Sequence, residues 1–406
     1  MGQEESTIVA ESVQPATLSE RSLSAVAEYI RTGRNKRIVV LTGAGISTAA
    51  GIPDFRSPKT GLYNNLARLN LPYAEAVFDI SYFRQHPQPF YVLAQELYPG
   101  KFHPTVSHAF IALLARKGLL QMLFTQNIDC LERRAGVPTE KIIEAHGSFA
   151  TQRCIECKTE YPDNEMEAHV FKGVVPFCNQ EGCDGAVKPD IVFFGEALPA
   201  AFAENSDQAA MADIMLVLGT SLTVYPFAGL PDMARQGKPR VLFNMERVGN
   251  LGGRTDDVLE LGSCDEGIRK LADELGWRDE LETYWRELVG DEEADRQLRS
   301  AAGGEDIDDE VHRLADGVEN ALRIGDSASE DERSITPEIT QTAIASNALG
   351  DEVETLEHAS AAVPEDSSKV MESGLEKKKQ TAAQAAEPET TKSETKGHTA
   401  EPWTSD

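Results

Sequence analysis

Aromatic residues are scarce, at 7% of the 406-residue chain, and there are only six cysteines. A small secreted scaffold held by disulfides needs a far denser cysteine supply, so that class is excluded. No apolar run approaches the roughly twenty residues of a membrane-crossing helix. The polar N-terminus lacks the apolar core of a signal peptide. A soluble protein of a reducing compartment, cytoplasmic and nuclear, is the expectation. Positive charge is also in short supply. Lys and Arg number 39 against 67 Asp and Glu, for a formal net charge of −28. About −16 of it lies beyond Ser300, the charge bias of a disordered tail. This balance excludes nonspecific nucleic-acid binding through net charge, so no direct nucleic-acid partner is expected. It permits attraction to lysine-rich protein tails.

What is present divides the chain. Residues 1–18 read as a flexible start. Met1-Gly2-Gln3-Glu4-Glu5-Ser6 fits the N-myristoylation pattern, and no polybasic segment follows to strengthen a membrane contact. A modified, weakly membrane-touching end and a plain flexible one both stay open. Leu23, Val26, Ala27 and Ile30 at helical spacing predict a helix over 19–32, with Ser19 as N-cap and Gly33 as stop. Further helices are expected over 105–117, 265–275 and 279–288. Strands are expected over 37–41, 119–124, 141–144, 191–194, 214–218 and 240–243. Strands alternating with helices predict an α/β fold, a doubly wound, Rossmann-like parallel sheet. A helical insert over about 57–103 and a cysteine module over about 151–187 form a smaller inserted domain. The folded body is expected over 19–290, and 291–406 as an acidic, largely disordered tail. Within the tail, 307–324 carries Ile307, Val311, Leu314, Val318 and Leu322 at amphipathic spacing. That segment has three open readings: docking on the body, self-association, or nascent helix.

The most informative stretch is TGAGISTAAGIPDFRSPKTGLY at 42–63, straight after Ile38-Val39-Val40-Leu41. A β-branched run closing on Gly43-Ala44-Gly45 is a strand delivering a glycine loop, which brings backbone N–H groups to a phosphate. The pattern is not the ordinary G-x-G-x-x-G, and a tight strand–helix turn is the other reading. Gly43, Gln126, His146, Gly219 and Asn244 follow expected strands, and ligands of open α/β sheets bind at that edge.

Cys154-x-x-Cys157 and Cys178-x4-Cys183 lie twenty residues apart. Two knuckles at this spacing can close a tetrahedral site of four thiolates around one zinc, with no position left for water, so the site would be structural.

Gly43 to Ser47, Gly51 to Arg56 and Gly61 to Tyr63 resemble the signature of the sirtuins, the NAD-dependent protein-lysine deacylases. The likeness continues at Gln126-Asn127-Ile128-Asp129, His146-Gly147, the cysteine cluster, Lys188 to Glu196, Gly219-Thr220-Ser221, Asn244-Met245-Glu246 and Cys264. It covers about 20–290 and most resembles the class I deacetylase branch near the cytoplasmic yeast and animal enzymes. The second knuckle departs from the pattern, with four intervening residues where two are usual.

The resemblance implies roles. Gly43, Ala44, Gly45, Ile46, Thr48, Asp54, Phe55, Arg56 and Tyr63 would line the NAD site. Gln126, Asn127, Ile128 and Asp129 would form the ribose and nicotinamide pocket. Gly219, Thr220, Ser221, Asn244, Met245, Glu246 and Cys264 would hold the adenosine half, with no thiol chemistry at Cys264. His146, whose position alone leaves a structural role open, would be the general base. Asn127 and Asp129 would orient the nicotinamide ribose and a water. Val192, Phe193, Phe194, Gly195 and Glu196 would receive the peptide by strand addition, with Phe55, Ile128, Val192 and Phe194 lining the acetyl-lysine channel. The implied activity is NAD-dependent deacetylation of lysine in histones or other proteins, serving transcriptional silencing. Its products are nicotinamide and O-acetyl-ADP-ribose. An NAD-dependent oxidoreductase, a chromatin-binding zinc module and an ADP-ribosyltransferase are the competing readings.

Overall fold

In this computed structural model, residues 8–33, 36–54, 71–73 and 75–303 are described. Gly2, the 55–70 stretch and the 307–324 segment lie outside them.

Six strands make one parallel sheet: β1 (Ile38–Thr42), β2 (Leu120–Thr125), β3 (Ile142–Glu144), and then β6 (Ile214–Leu218), β7 (Arg240–Asn244) and β8 (Asp257–Leu261). Their order is β3-β2-β1-β6-β7-β8. Every residue of β1 and β6 is buried, as expected of central parallel strands covered on both faces. Successive side chains take opposite sides. Ile38 and Val40 join the core formed with the helices Leu23–Thr32, Val106–Arg116, Cys264–Leu275 and Arg278–Val289. Val39 and Leu41 join the opposite core around Phe202, Phe227 and Leu230. The chain leaves β1 toward β2 on one side and returns to β6 on the other, so the β1–β6 seam is the topological switch point.

The smaller domain has one core of its own. It joins the helices Ile80–Gln85 and Gln88–Leu97 to the antiparallel pair β4 (Gly147–Cys154) and β5 (Val187–Ile191) and to the helix Asp163–Phe171. Phe193 is the centre of an aromatic cluster there, with ring centroids 5.0 Å from Phe90 and 5.5 Å from Phe83.

The structure differs from the sequence expectation at definite places. The first helix starts at Leu23, because Ser22 and not Ser19 caps it by accepting from the Ala25 N–H. The expected strand over 191–194 lies earlier, at Val187–Ile191, where Cys154 and Arg153 pair with Val187 and Lys188. β4 and β8 were not anticipated. From residue 8 the chain expected to be flexible is bonded to the body. Val9 N–H donates to Gly252 O at 2.9 Å, and the Ala16, Thr17 and Leu18 N–H groups all donate to the Asp256 carboxylate. The body also runs past 290, through a helix Asp291–Gly303. Ala294 is fully buried, and Arg296 donates to Ala50 O at 2.9 Å. Acidic residues in that helix's first turn favour its N-terminus, and the same residues gave it the composition of a tail.

Candidate active site

The ends of β1 and β6 meet backbone to backbone. Gly43 N–H donates to Leu218 O at 3.1 Å, and Gly45 N–H donates to Gly219 O at 2.8 Å. A Cβ on Gly45 would lie 2.7 Å from Gly219 Cα, and one on Gly219 would lie 2.6 Å from Gly45 C. Gly219 also sits at φ +58°, a left-handed conformation that favours glycine. The two loops therefore form a cradle held backbone to backbone at the switch point, the place where doubly wound sheets bind their ligands. After Gly43 the chain runs through two short 3₁₀ turns, Ala44–Ile46 and Thr48–Ala50, instead of a long helix.

Beside this cradle is a largely apolar cavity lined by Ala44, Ser47, Ile52, Pro53, Leu97, Asn127, Ile128 and Asp129. Its polar groups are fixed from below. Asn127 Nδ2 donates to Gly43 O at 3.2 Å and to Ser47 Oγ at 3.3 Å. Ser47 Oγ donates to Asp129 Oδ2 at 2.7 Å, and Leu131 N–H donates to Oδ1 at 2.9 Å. The glycine loop and the Gln126–Asp129 loop, more than eighty residues apart, thus form one wall. Ser47, Ile52 and Leu97 were not singled out as site residues from the sequence. Ser47 lies within the quoted motif and was legible there, whereas Leu97 comes from a distant helix with no motif.

His146 follows β3, one residue beyond Ala145, and is half-buried. Its Nδ1 lies 3.1 Å from Gln126 O. A carbonyl can only accept, so in the neutral ring Nδ1 carries the proton and Nε2 the lone pair. That is the tautomer a general base requires. Gln126 Nε2 also donates to Thr220 Oγ1 at 2.7 Å, which ties the histidine loop to the β6 loop.

The residues expected at the adenosine half gather at the ends of β6 and β7. Gly219 N–H donates to Phe243 O at 2.9 Å, and Cys264 Sγ donates to the same carbonyl at 3.2 Å. Cys264 is buried, and burial pushes its thiol up to about 12, which suits a packing role. Thr220 is buried, Ser221 Oγ lies 3.0 Å from Thr223 Oγ1, and Asn244 Nδ2 donates to Glu246 O at 2.9 Å. Met245 is exposed. Ile46 is buried in the main core. Thr48 Oγ1 donates to Gly45 O at 3.3 Å. Asp54 is half-buried at the end of the described loop, and Phe55, Arg56 and Tyr63 fall outside the described residues.

The expected peptide strip is only partly available. Phe193 belongs to the small-domain core and not to a binding surface. Glu196 is held within its own turn, accepting from Phe193 N–H at 2.9 Å and pairing with Lys188 Nζ at 3.0 Å. Phe194 N–H donates to Phe78 O, and Phe194 O accepts from Ile80 N–H. Val192, held by its N–H to His146 O at 2.8 Å, and the exposed Phe194 and Gly195 remain as the accessible face.

Comparison with known proteins agrees with this geometry. The Sir2 family model matches residues 43–226. NAD-dependent protein deacetylase hst2-1 of Emericella nidulans is 54% identical over 329 residues, covering 80% of this chain and 91% of that protein. The chain belongs to the Sir2 family. Two further relatives are NAD-dependent protein deacetylase hst2 of Schizosaccharomyces pombe and NAD-dependent protein deacetylase sirtuin-2 of Danio rerio. The first is 54% identical over 265 residues, covering 65% of this chain and 79% of that protein. The second is 48% identical over 285 residues, covering 65% and 75%.

In this Sir2-family chain the four clustered cysteines converge at the far end of β4 and β5. Their sulfurs all lie within 4.8 Å of one another, with Cys154–Cys183 at 3.6 Å and Cys157–Cys178 at 3.5 Å. Disulfide sulfurs would be about 2.05 Å apart. Tetrahedral thiolates about 2.3 Å from a zinc stand about 3.8 Å from each other, so the donor set fits that metal. Within the longer second knuckle Cys183 N–H donates to Gln180 O at 3.0 Å.

Proposed function

We propose that this chain is an NAD-dependent protein-lysine deacetylase acting on acetylated histones or other proteins in the cytoplasm and nucleus. The observation carrying the reading is the shared edge of the sheet. The glycine cradle, the apolar cavity with Asn127 and Asp129, and His146 all lie at the C-terminal ends of β1, β2 and β3.

NAD, when bound, would supply an electrophilic ribose carbon with nicotinamide as its leaving group. Gly43, Gly45 and Gly219 let the β1 and β6 loops close on each other at the edge where the phosphates would lie. Ile52, Pro53, Leu97 and Ile128 exclude water from the cavity. Asn127, held by Gly43 O and Ser47, presents its amide oxygen to the ribose side, and Asp129 sets a fixed negative charge beside developing positive charge. His146 Nε2 takes the proton of a ribose hydroxyl. Val192, Phe194 and Gly195 offer backbone and surface to an extended peptide. One zinc held by Cys154, Cys157, Cys178 and Cys183 braces the small domain.

An acetyl-lysine peptide incubated with NAD and the chain, followed by mass spectrometry, tests this. Free lysine peptide, nicotinamide and O-acetyl-ADP-ribose are the expected products. ADP-ribose attached to protein would favour a transferase instead, and reduced nicotinamide an oxidoreductase.

A further inference from the structure

Behind the apolar cavity, three buried titratable side chains meet. A ring nitrogen of His108 and one oxygen each of Asp129 and Glu132 lie within 4.8 Å of one another. Of the three, only Asp129 lines the cavity. Thr105 N–H donates to His108 Nδ1 at 3.1 Å, and the Thr105 hydroxyl donates to Ile46 O at 2.8 Å. Nδ1 is thus an acceptor, and the ring proton sits on Nε2, which is buried with no hydrogen-bond partner among the described residues. Burial pushes the imidazole down to about 3, so it stays neutral.

Two carboxylates this close and this buried do not both ionise readily. Burial raises both carboxyls, but Asp129 has the short donors, Ser47 Oγ at 2.7 Å and Leu131 N–H at 2.9 Å, while Glu132 has Thr42 Oγ1 at 3.3 Å, Thr125 and a backbone N–H. The charge therefore belongs on Asp129 and the proton on Glu132. Burial, with the charge of Asp129, raises the Glu132 carboxyl to about 8. The other titratable neighbours are Cys130 and, from the end of β3, Glu144. The Glu144 charge is matched by Arg133 at 2.7 Å.

We propose that Glu132, backed by His108, is a positioning residue: it holds the single proton of the Asp129–Glu132 pair, so that Asp129 stands singly charged beneath the cavity and keeps its bond to Ser47. This rests on reading the cavity as the nicotinamide site. Above about pH 8, loss of that proton leaves two buried charges that repel and loosens the Asp129–Ser47 wall.

The full chain, its Glu132→Gln variant and its Glu132→Asp variant test the idea. NAD binding by calorimetry and KM for NAD, separately from kcat, are measured from about pH 6.5 to about pH 9. Infrared difference spectra follow the protonated carboxyl. The unsubstituted chain is expected to lose NAD affinity several-fold as pH rises through that range, in step with loss of a protonated-carboxyl band. Glu132→Gln removes that transition, and Glu132→Asp restores it. Parallel pH profiles in the unsubstituted chain and Glu132→Gln would overturn the proposal. So would the absence of a protonated-carboxyl band at about pH 6.5, which decides the matter even if the variants fail to fold. If NAD binding follows the expected profile but acetyl-lysine is not deacetylated, the deacetylase reading fails while the positioning role stands.

Discussion

Gly45 and Gly219 are in backbone contact across the β1–β6 seam, joined by an N–H···O bond of 2.8 Å. Each would meet the other's main chain at 2.7 Å or closer if it carried a Cβ. Backbone atoms cannot swing aside as a side-chain end can, so Gly219→Ala is expected to part the two loops. Loss of at least tenfold in NAD affinity, about 1.4 kcal/mol, is the expected outcome, with folding retained. Calorimetric titration with NAD checks it, and unchanged affinity would refute the cradle.

His146→Ala removes the proposed base while leaving the cradle and cavity walls intact. Turnover of an acetyl-lysine peptide should fall by a factor on the order of 10² to 10⁴, and NAD should still bind. Comparable turnover in the variant would remove His146 from the chemistry.

The cysteine cluster predicts one zinc per chain by metal analysis. Cys154 is the most buried of the four. Its replacement by Ser, or strong chelation, should release the metal and melt the small domain. NAD-dependent activity would be lost with it, because Val192 hangs from His146 O. A metal-free chain that keeps its melting temperature and turnover would show the cluster to be dispensable.

Phe193 has three aromatic neighbours, Phe78, Phe83 and Phe90, and the Lys188 ammonium lies over its ring face at 4.4 Å. Phe193→Ala should cost about 3–5 kcal/mol, read by denaturant unfolding. A loss well under 1 kcal/mol would instead return this residue to the binding surface.

Asp213 ties the edge of the sheet to Arg37 at 3.1 Å and Lys238 at 3.0 Å. Burial pushes its carboxyl up, but the hydrogen bonds from Arg37 and Lys238 outweigh that and hold it well below its ordinary value of 3.8. A depressed carboxyl contributes stability that is present above the unfolded-state value and lost as pH falls below it. The melting-temperature gap between the unsubstituted chain and Asp213→Asn should therefore be widest near neutral pH and close in acid. A gap that does not change with pH would rule out this linkage.

Much of the site was legible because its signals are local. Buried parallel strands are short apolar runs, and Ile38 to Leu41 and Ile214 to Leu218 stand out as such. Loops that approach a phosphate need glycine, and a zinc knuckle needs two cysteines a few residues apart. Those constraints act within a few residues, so Gly43, Gly45, Gly219 and the four cysteines could be picked out in one dimension, while Gln126 to Asp129 and His146 took their roles from the family resemblance. Asp257–Leu261 could not, since Asp257 looks unlike a strand residue until Arg240 meets it at 2.6 Å in a buried pair. The helix Asp291–Gly303 has the acidity of a tail, and only the contacts of Ala294 and Arg296 with distant parts of the body make it part of the fold. Phe193 looked like a surface strip residue because burial depends on what packs above it, which lies a hundred residues earlier. The same holds for His108, which reaches Asp129 and Glu132 only once its helix is laid against β1 and β2. Sequence by itself determined five of the sheet's six strands, the family and the loops that meet at its C-terminal edge. Tertiary packing alone decided which of those side chains face the cavity and which are core, because desolvation and contact are properties of the assembled volume and not of the chain.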